Sequence, residues 1–119
     1  MYKIKEPDFE FSDNRGSLIQ LVHEGYNQIN VLISKKGVER GGHYHKISRE
    51  AFYVIDGSVE VKFSSDGQAS ETHIFNAGDF FEIEPLVVHS MFFPEDCTMI
   101  AMYDICVEKD DGTKDIYAV

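Results

Sequence analysis

The strongest constraint on the fold is an alternation of apolar and polar side chains that recurs in short segments. Such alternation is typical of strands, because successive side chains of a strand point to opposite faces. It is clean at 59–63, the segments 18–22, 29–33 and 71–75 also read as strands, and turn residues separate strand-like segments at intervals of about 8–12 residues. No long segment repeats apolar side chains at the helical period. The pattern therefore predicts an all-β fold with little helix, built as a sandwich or barrel.

The length of 119 residues predicts a single domain over 1–119. Within it, the Asp-Gly pair at 56–57 predicts a tight hairpin turn between strands at 51–55 and 59–63. The segment 108–119 is polar and contains Asp-Asp-Gly, so we expect a surface C-terminal extension.

The charge balance restricts the partners, because 21 acidic residues against 11 basic ones give a formal charge of −10. Duplex nucleic acid and anionic membranes attract basic surfaces, so neither is expected to bind. The chain has no apolar run of about 18 residues, and its first residues lack the pattern of a signal peptide, so we expect a cytoplasmic protein. An anionic small molecule remains compatible, because it needs only a few local cations.

The histidine pair at 43 and 45 carries the clearest chemical signal. Residues i and i+2 of a strand share a face, so His43 and His45 point the same way. A turn at 46–49 returns the chain, so Glu50 can add a carboxylate from the neighbouring strand, and His89 can add a third imidazole. Such a set suits a divalent Zn, Fe, Mn, Ni or Co ion, and we predict these four residues as metal ligands.

The spacing of these residues resembles the cupin superfamily. Its first motif places a glycine, a His-x-His pair, a glutamate and a second glycine at fixed spacing, and residues 37–57 match every position. Residues 78–93 match the glycine and histidine of the second motif, with Pro85 one place late, Leu86 in a glycine position and Phe93 in an asparagine position. The resemblance implies a double-stranded β-helix, a jelly-roll-like barrel with the four ligands inside.

Further segments are similar to the small WxcM-like cupins of bacterial surface-sugar biosynthesis. They are Asp-x-Arg-Gly at 13–16, Arg-Gly-Gly-His-Tyr-His-Lys at 40–46, and the segments 52–59 and 115–119. That group contains dTDP-4-keto-6-deoxyhexose 3,4-ketoisomerases and the cupin domain of capsule-synthesis nucleotide-sugar reductases, which acts in C3 epimerisation. The resemblance implies a nucleotide-sugar isomerase or epimerase for polysaccharide biosynthesis that forms a homodimer.

Both reactions begin by removing a proton beside the 4-keto group, which forms an enediolate-like intermediate. That step needs a base that titrates near neutral pH and positive charge at the developing oxyanion. His43 and His45 are the predicted bases, and Tyr53 and Tyr103 are predicted proton donors. The cations predicted to bind the substrate and its diphosphate are Arg15, Arg40 and Lys46.

Three alternatives stay open at this point. A histidine that ligates a metal cannot also be the free base, so the His-x-His pair serves one role or the other. A metal-dependent dioxygenase or other oxidoreductase could use the same four ligands on a small molecule, although it leaves the Asp-x-Arg-Gly segment unexplained. A non-catalytic cupin could bind a sugar or another metabolite.

Overall fold

The structure, a computed structural model, describes residues 1–119 and contains twelve strands and no helix. The predicted all-β fold is confirmed. The chain therefore has no helical segment that could cross a membrane. The strands are β1 (Tyr2–Ile4), β2 (Phe9–Asp13), β3 (Gly16–Gln20), β4 (Gln28–Ser34), β5 (Glu39–Tyr44), β6 (Glu50–Asp56), β7 (Ser58–Ser64), β8 (Glu71–Asn76), β9 (Phe80–Ile83), β10 (Val88–Phe92), β11 (Cys97–Tyr103) and β12 (Tyr117–Ala118).

Two five-stranded antiparallel sheets form the walls of the barrel. One has the order β1-β9-β6-β11-β4 and the other β12-β5-β10-β7-β8. Strands β2 and β3 form a separate hairpin that pairs with neither sheet. The predicted ligands lie on or beside β5 and β10 of one sheet and β6 of the other, so the site lies between the two walls.

The apolar core fills the space between the sheets. A cluster of 14 buried residues contains inward-facing side chains from both walls. Phe75 on β8 stacks against Phe81 on β9 with ring centroids 3.7 Å apart, and Phe81 stacks in turn against Phe52 at 5.3 Å. Stacked aromatic pairs add about 0.5–1.5 kcal/mol each beyond their buried area, so these rings tie the two walls together.

The turn at Asp56 and Gly57 differs from the predicted hairpin. Strands β6 and β7 belong to different sheets, so the chain crosses from one wall to the other at this turn. Gly57 has φ of +84°, and a Cβ there would overlap the carbonyl oxygen of Asp96. Gly57 therefore allows two chain segments to approach closely. The Asp-Gly pair is typical of a hairpin turn as well, so the local sequence does not distinguish the two cases.

The C-terminal segment 108–119 lies on the surface, and most of its residues are exposed. It is nevertheless tied to the barrel in two places. Asp115 is only 1% exposed, and β12 pairs with β5 so that Tyr117 lies opposite Tyr44 and Ala118 opposite His43. The segment thus runs along the strand that carries the His-x-His pair.

Candidate active site

The four predicted ligands converge at one place inside the barrel. One ligand atom from each of His43, His45, Glu50 and His89 lies within 4.8 Å of the others. The ladder between β10 and β5 places His89 directly opposite His43, and the turn after β5 brings Glu50 back beside His45. Three of the four side chains are buried, and His43 is partly exposed.

In each of two imidazoles, a hydrogen bond to a main-chain carbonyl determines which ring nitrogen faces Glu50. The Nδ1–H of His45 donates to the carbonyl oxygen of Asp115 at 2.6 Å, and the Nδ1–H of His89 donates to that of Val87 at 3.1 Å, because a carbonyl only accepts. The Nε2 atoms then face Oε1 of Glu50, at 3.1 Å from His45 and 3.3 Å from His89. Only the first of these contacts has hydrogen-bond geometry, so Nε2 of His89 is buried without a partner.

This arrangement calls for positive charge between the rings and the carboxylate. A neutral imidazole that is protonated at Nδ1 presents a lone pair at Nε2, and a lone pair facing a carboxylate oxygen is repulsive. Either a proton on Nε2 or a cation between the groups removes the repulsion. Metal-binding histidines commonly donate their other ring N–H to a carbonyl or carboxylate, as His45 and His89 do here. The donor set therefore fits a divalent transition-metal ion.

The charges of the cluster favour an ion pair between His45 and Glu50. Burial penalises the charged carboxylate, yet the hydrogen bond from His45 and the nearby charge of His89 lower the pKa of Glu50 to about 2. Burial also opposes the charged form of His45, but its bonds to Glu50 and to the Asp115 carbonyl raise its pKa. His43 shifts the other way, because burial and then the charges of His89 and His45 lower its pKa to about 4. At neutral pH His43 is therefore an uncharged imidazole.

A cavity of 240 Å³ opens onto the cluster. Arg40 contributes the only lysine or arginine side chain in its wall. The guanidinium donates from Nε to Oγ of Ser34 at 2.9 Å and from Nη2 to the carbonyl oxygen of Ile33 at 3.3 Å. Two of its five N–H groups are thus used to hold the side chain, and the others are free to bind an anionic ligand. The wall of the cavity also contains His43, Glu50, His89 and Gly41.

Gly41 allows β5 and β10 to approach closely beside the cluster. Its φ is +99°, and a Cβ there would lie 2.7 Å from the carbonyl oxygen of His89 and 3.1 Å from Cα of Ser90. The ladder also shifts register between His89 and Ser90. Any side chain at position 41 would push the two strands apart, so this glycine sets the spacing between His43 and His89.

The turn before β10 supports two of the imidazoles. Leu86 is the only residue other than glycine with a positive φ, at +71°. Its N–H donates to the carbonyl oxygen of His45 at 2.7 Å, and the next residue, Val87, accepts the Nδ1–H of His89. The turn therefore ties together the chain segments that carry these two rings.

Of the two predicted tyrosine donors, the structure brings only Tyr103 to the cluster. Tyr103 lies opposite Glu50 in the ladder between β11 and β6, and its ring meets that of His45 edge-on at 5.6 Å. Burial, followed by the charge of Glu50, raises the pKa of Tyr103. Tyr53 is three residues after Glu50, and this odd offset turns it to the outer face of the sheet, where it packs edge-on against Phe80.

Lys46 and Arg15 also lie away from the cavity. Lys46 follows His45 directly, and its Nζ lies 4.2 Å from the centre of the Tyr117 ring. Arg15 lies in the turn of the β2–β3 hairpin, where it pairs with Asp13 at 2.6 Å and its side chain is 82% exposed. Of the three cations predicted to bind substrate, the structure therefore brings only Arg40 into the cavity wall.

Comparison with known proteins assigns the chain to a family. Residues 11–105 match the polysaccharide biosynthesis C-terminal domain, which is most of the sequence. The chain belongs to this family. The predicted resemblance to the cupins of surface-sugar biosynthesis is confirmed by this match and by the solved structures of similar proteins.

Solved structures share the fold of this polysaccharide biosynthesis C-terminal domain. A sugar 3,4-ketoisomerase from Thermoanaerobacterium thermosaccharolyticum, in complex with TDP, has a TM-score of 0.80 at 20% identity, over 99% of this chain and 88% of that one. A 3,4-ketoisomerase from Helicobacter canadensis has a TM-score of 0.77 at 25% identity, over 93% of this chain and 87% of that one. The predicted cupin barrel is confirmed by these likenesses.

A curated relative of the domain is much longer than this chain. It is the UDP-2-acetamido-2,6-beta-L-arabino-hexul-4-ose reductase of Pseudomonas aeruginosa, which is 38% identical over 53 residues. The match covers 44% of this chain and 14% of the reductase. The chain thus corresponds to a small part of that relative.

Asp115 lies beside the cluster, outside the matched residues 11–105, and sequence analysis missed it. Its carboxylate accepts hydrogen bonds from the turn between His45 and Glu50, and its main-chain carbonyl holds the His45 ring. It lies 70 positions from His45, so no local pattern reveals the contact. The only signal in the sequence is its place in the segment 115–119, which resembles the ending of the sugar cupins.

Proposed function

We propose that the protein is a nucleotide-sugar isomerase or epimerase that acts beside the keto group of a 4-keto deoxysugar. The single observation that carries the proposal is the buried cluster of imidazoles and a carboxylate in a cavity whose wall contains Arg40. The relatives support the substrate class, since one ketoisomerase binds TDP and the reductase is named for a UDP-linked hexul-4-ose.

Proton removal beside the keto group needs an acceptor that faces the substrate. His43 lines the cavity, is partly exposed and is uncharged at neutral pH, so its lone pair is available as a base. The oxyanion that develops on the sugar is stabilised by the positive charge of protonated His45. His45 and Tyr103 are the proton donors for the sugar oxygen, because both lie beside Glu50 at the buried end of the cluster.

The nucleotide diphosphate is assigned to Arg40. A guanidinium presents several N–H donors in one plane, which matches the oxygens of a phosphate. Ser34 and Ile33 hold the side chain in place, so less conformational entropy is lost when a ligand binds. In a chain of net charge −10, this local positive charge beside the cavity is what an anionic substrate requires.

As the alternative to a base role for His43, we propose that His43, His45, Glu50 and His89 bind a divalent metal ion, which would supply positive charge beside the oxyanion. The buried, unpartnered Nε2 of His89 supports this assignment. A coordinated His43 has no free lone pair, so the roles of ligand and base exclude each other. The metal content of the protein decides between them.

The isomerase or epimerase proposal is tested by exchange of solvent deuterium into the sugar. The protein is incubated in deuterium oxide with TDP-4-keto-6-deoxyglucose, and the C3 proton signal is followed by NMR. We expect the signal to disappear with wild-type protein and with the exposed-histidine control H23A, but not with H43A. Absence of exchange above the protein-free rate would refute the proposed reaction and leave only ligand binding.

The metal proposal is tested by elemental analysis of the purified protein and by zinc titration. If the cluster is a metal site, we expect one divalent ion per chain in the wild type and loss of that ion in H45A. Unchanged metal content in H45A would remove His45 from the ligand set. Deuterium exchange by a wild-type protein that binds no metal would assign the histidines to acid–base catalysis.

We further propose that two copies of the chain form a homodimer through the free edge of the β4 sheet. β4 ends its sheet, and its outward side chains Ile29, Val31 and Ile33 are 62%, 64% and 70% exposed. An apolar, unpaired edge strand tends to associate with another chain. We expect sedimentation to give a dimer for the wild type and a monomer for I33K, with a monomeric wild type contradicting the proposal.

A further inference from the structure

We propose that Asp115 is a positioning residue that fixes the ring orientation and tautomer of His45 from the C-terminal segment. This inference rests on the proposed role of the histidine cluster. It concerns a residue that touches neither substrate nor ion and acts through its contacts with His45 and with the turn that follows His45.

The first contact is made by the main-chain carbonyl of Asp115. Its oxygen lies 2.6 Å from Nδ1 of His45, a short hydrogen bond inside the barrel, where His45 is 3% exposed. Because a carbonyl only accepts, the hydrogen of a neutral His45 must lie on Nδ1. The lone pair of Nε2 is thereby directed toward Glu50 and the centre of the cluster.

The second contact is made by the carboxylate of the same residue. Its Oδ1 accepts the N–H of Lys46 at 2.8 Å, and its Oδ2 accepts the N–H groups of Ile47 at 3.0 Å and Ser48 at 2.9 Å. The Ser48 hydroxyl also donates to Oδ2 at 3.0 Å. Hydrogen bonds to a charged acceptor are stronger than those to a neutral one, so this carboxylate fixes the conformation of the turn.

The turn fixed by the carboxylate is the one that joins two members of the cluster. It runs from 46 to 49 and connects His45 to Glu50. One residue therefore holds the His45 ring through its carbonyl and sets the separation of His45 and Glu50 through its carboxylate. Loss of the carboxylate would free both the turn and the carbonyl that orients the ring.

The surrounding backbone keeps the Asp115 carbonyl in place. The N–H of Asp115 donates to the carbonyl oxygen of Val107 at 2.9 Å, in a small loop closed by the bridge between Glu108 and Lys114. After Asp115, the chain enters β12, and the N–H of Val119 donates to the carbonyl oxygen of Gly42 at 3.2 Å. The segment is thus hydrogen-bonded on both sides of Asp115, so the position of the Asp115 carbonyl is fixed.

The test compares D115A and D115N with the control D111A. Asp111 lies in the same segment and accepts hydrogen bonds from the N–H and hydroxyl of Thr113 only, so D111A makes the same charge change without contact to His45. D115N is the milder variant, because its remaining oxygen can still accept from Ile47 and Ser48. Circular dichroism and thermal melting establish which variants are folded.

Two measurements separate positioning from simple anchoring. Long-range proton–nitrogen NMR spectra of metal-free protein, at a pH where His45 is neutral, report which ring nitrogen carries the hydrogen. We expect Nδ1–H in wild type and D111A and a mixture of tautomers in D115A. Zinc affinity, measured by competition with a chelating dye, is expected to fall about 10- to 100-fold in D115A, less in D115N, and less than about twofold in D111A.

Each result supports or overturns the inference. A wild-type His45 with its hydrogen on Nε2 would overturn it, whether or not the variants fold. Equal zinc affinity and the same tautomer in folded D115A or D115N and in D111A would reduce Asp115 to a structural anchor. If the wild type binds no zinc, the proposed metal centre fails, and the tautomer comparison alone decides the role of Asp115.

Discussion

The histidine cluster and the β2–β3 hairpin are built in opposite ways. The cluster combines side chains from three strands of two sheets, and His45, Glu50 and His89 are at most 4% exposed. Every residue of β2 is exposed, and the hairpin is held by its own ladder and by the local pair of Asp13 and Arg15. Equivalent substitutions in the two regions should therefore have very different effects.

The largest difference is expected for removal of one carboxylate in each region. Glu50 is the only carboxylate of the cluster, whereas Glu10 is an exposed residue of β2. We expect E50Q to weaken zinc binding by more than about 100-fold, since even outer partners of metal ligands contribute 10- to 100-fold. E10Q should leave affinity unchanged in the same competition titration. Equal affinities for the two variants would contradict the ligand assignment.

A smaller difference, in the loss of unfolding free energy, is expected between substitutions of two glycines with positive φ. Gly41 has φ of +99° and its added Cβ would meet the His89 backbone, whereas Gly16 in the hairpin has φ of +135° and nothing within 4 Å. We expect G41A to lose about 3 kcal/mol or more of unfolding free energy and G16A about 1–2 kcal/mol, from backbone strain alone. Urea unfolding measures both, and equal losses would show that β5 and β10 are not held so closely.

Substitution of the two arginines is expected to change the affinity for TDP to extents that differ by about one order of magnitude. Arg40 lies in the cavity wall, and Arg15 is on the hairpin turn. We expect R40A to weaken TDP binding by about 10- to 100-fold, as for loss of a hydrogen bond to a charged group, and R15A by less than about twofold. Isothermal titration calorimetry measures both. The predicted substrate-binding role of Arg15 stays a prediction, and a comparable loss in R15A would support it.

The smallest effect is expected for the charge pair at the base of the hairpin. Nδ1 of His23 lies 2.6 Å from Oδ2 of Asp8, and this hydrogen bond and charge raise the pKa of His23 above its usual 6.5. The stabilisation is therefore fully present below about pH 6.5 and is lost as the pH rises through the raised pKa. Solvent screening keeps it small, because the His23 side chain is 66% exposed.

The measurement for this pair is the difference in urea midpoint between wild type and H23Q across a pH series. In the acidic range the series stays above the usual pKa of Asp8, 3.8, so that the carboxylate remains charged. We expect the advantage of the wild type to shrink as the pH rises. An advantage that grows with pH would contradict the assignment of the pair.

Strand periodicity and motif spacing were enough to predict the cluster. His43 and His45 share a face because they are two residues apart, and Glu50 follows one short turn later. The same rule, which needs only the sequence, places Tyr53 on the opposite face of the strand from Glu50, because their offset is odd. The motif also located His89, but only the ladder between β10 and β5 explains why it meets His43.

The features that could not be predicted from the sequence depend on contacts between segments that are far apart along the chain. The turn at Gly57 has the local sequence of a hairpin, and only the pairing of β6 and β7 with other strands reveals a crossing between sheets. Asp115 reaches His45 across 70 positions, which no local pattern encodes. The position of Arg15 depends on the hairpin's lack of pairing with either sheet.

The left-handed backbone of Leu86 has a consequence for protein engineering. This conformation costs an ordinary residue about 1–2 kcal/mol, while glycine gives up about 0.5–1 kcal/mol of chain entropy instead. Leu86 is 60% exposed, so little packing would be lost on replacing it with the glycine that the family motif places there. Leu86→Gly is therefore a candidate for a more stable variant in which His43, His45, Glu50 and His89 are all kept.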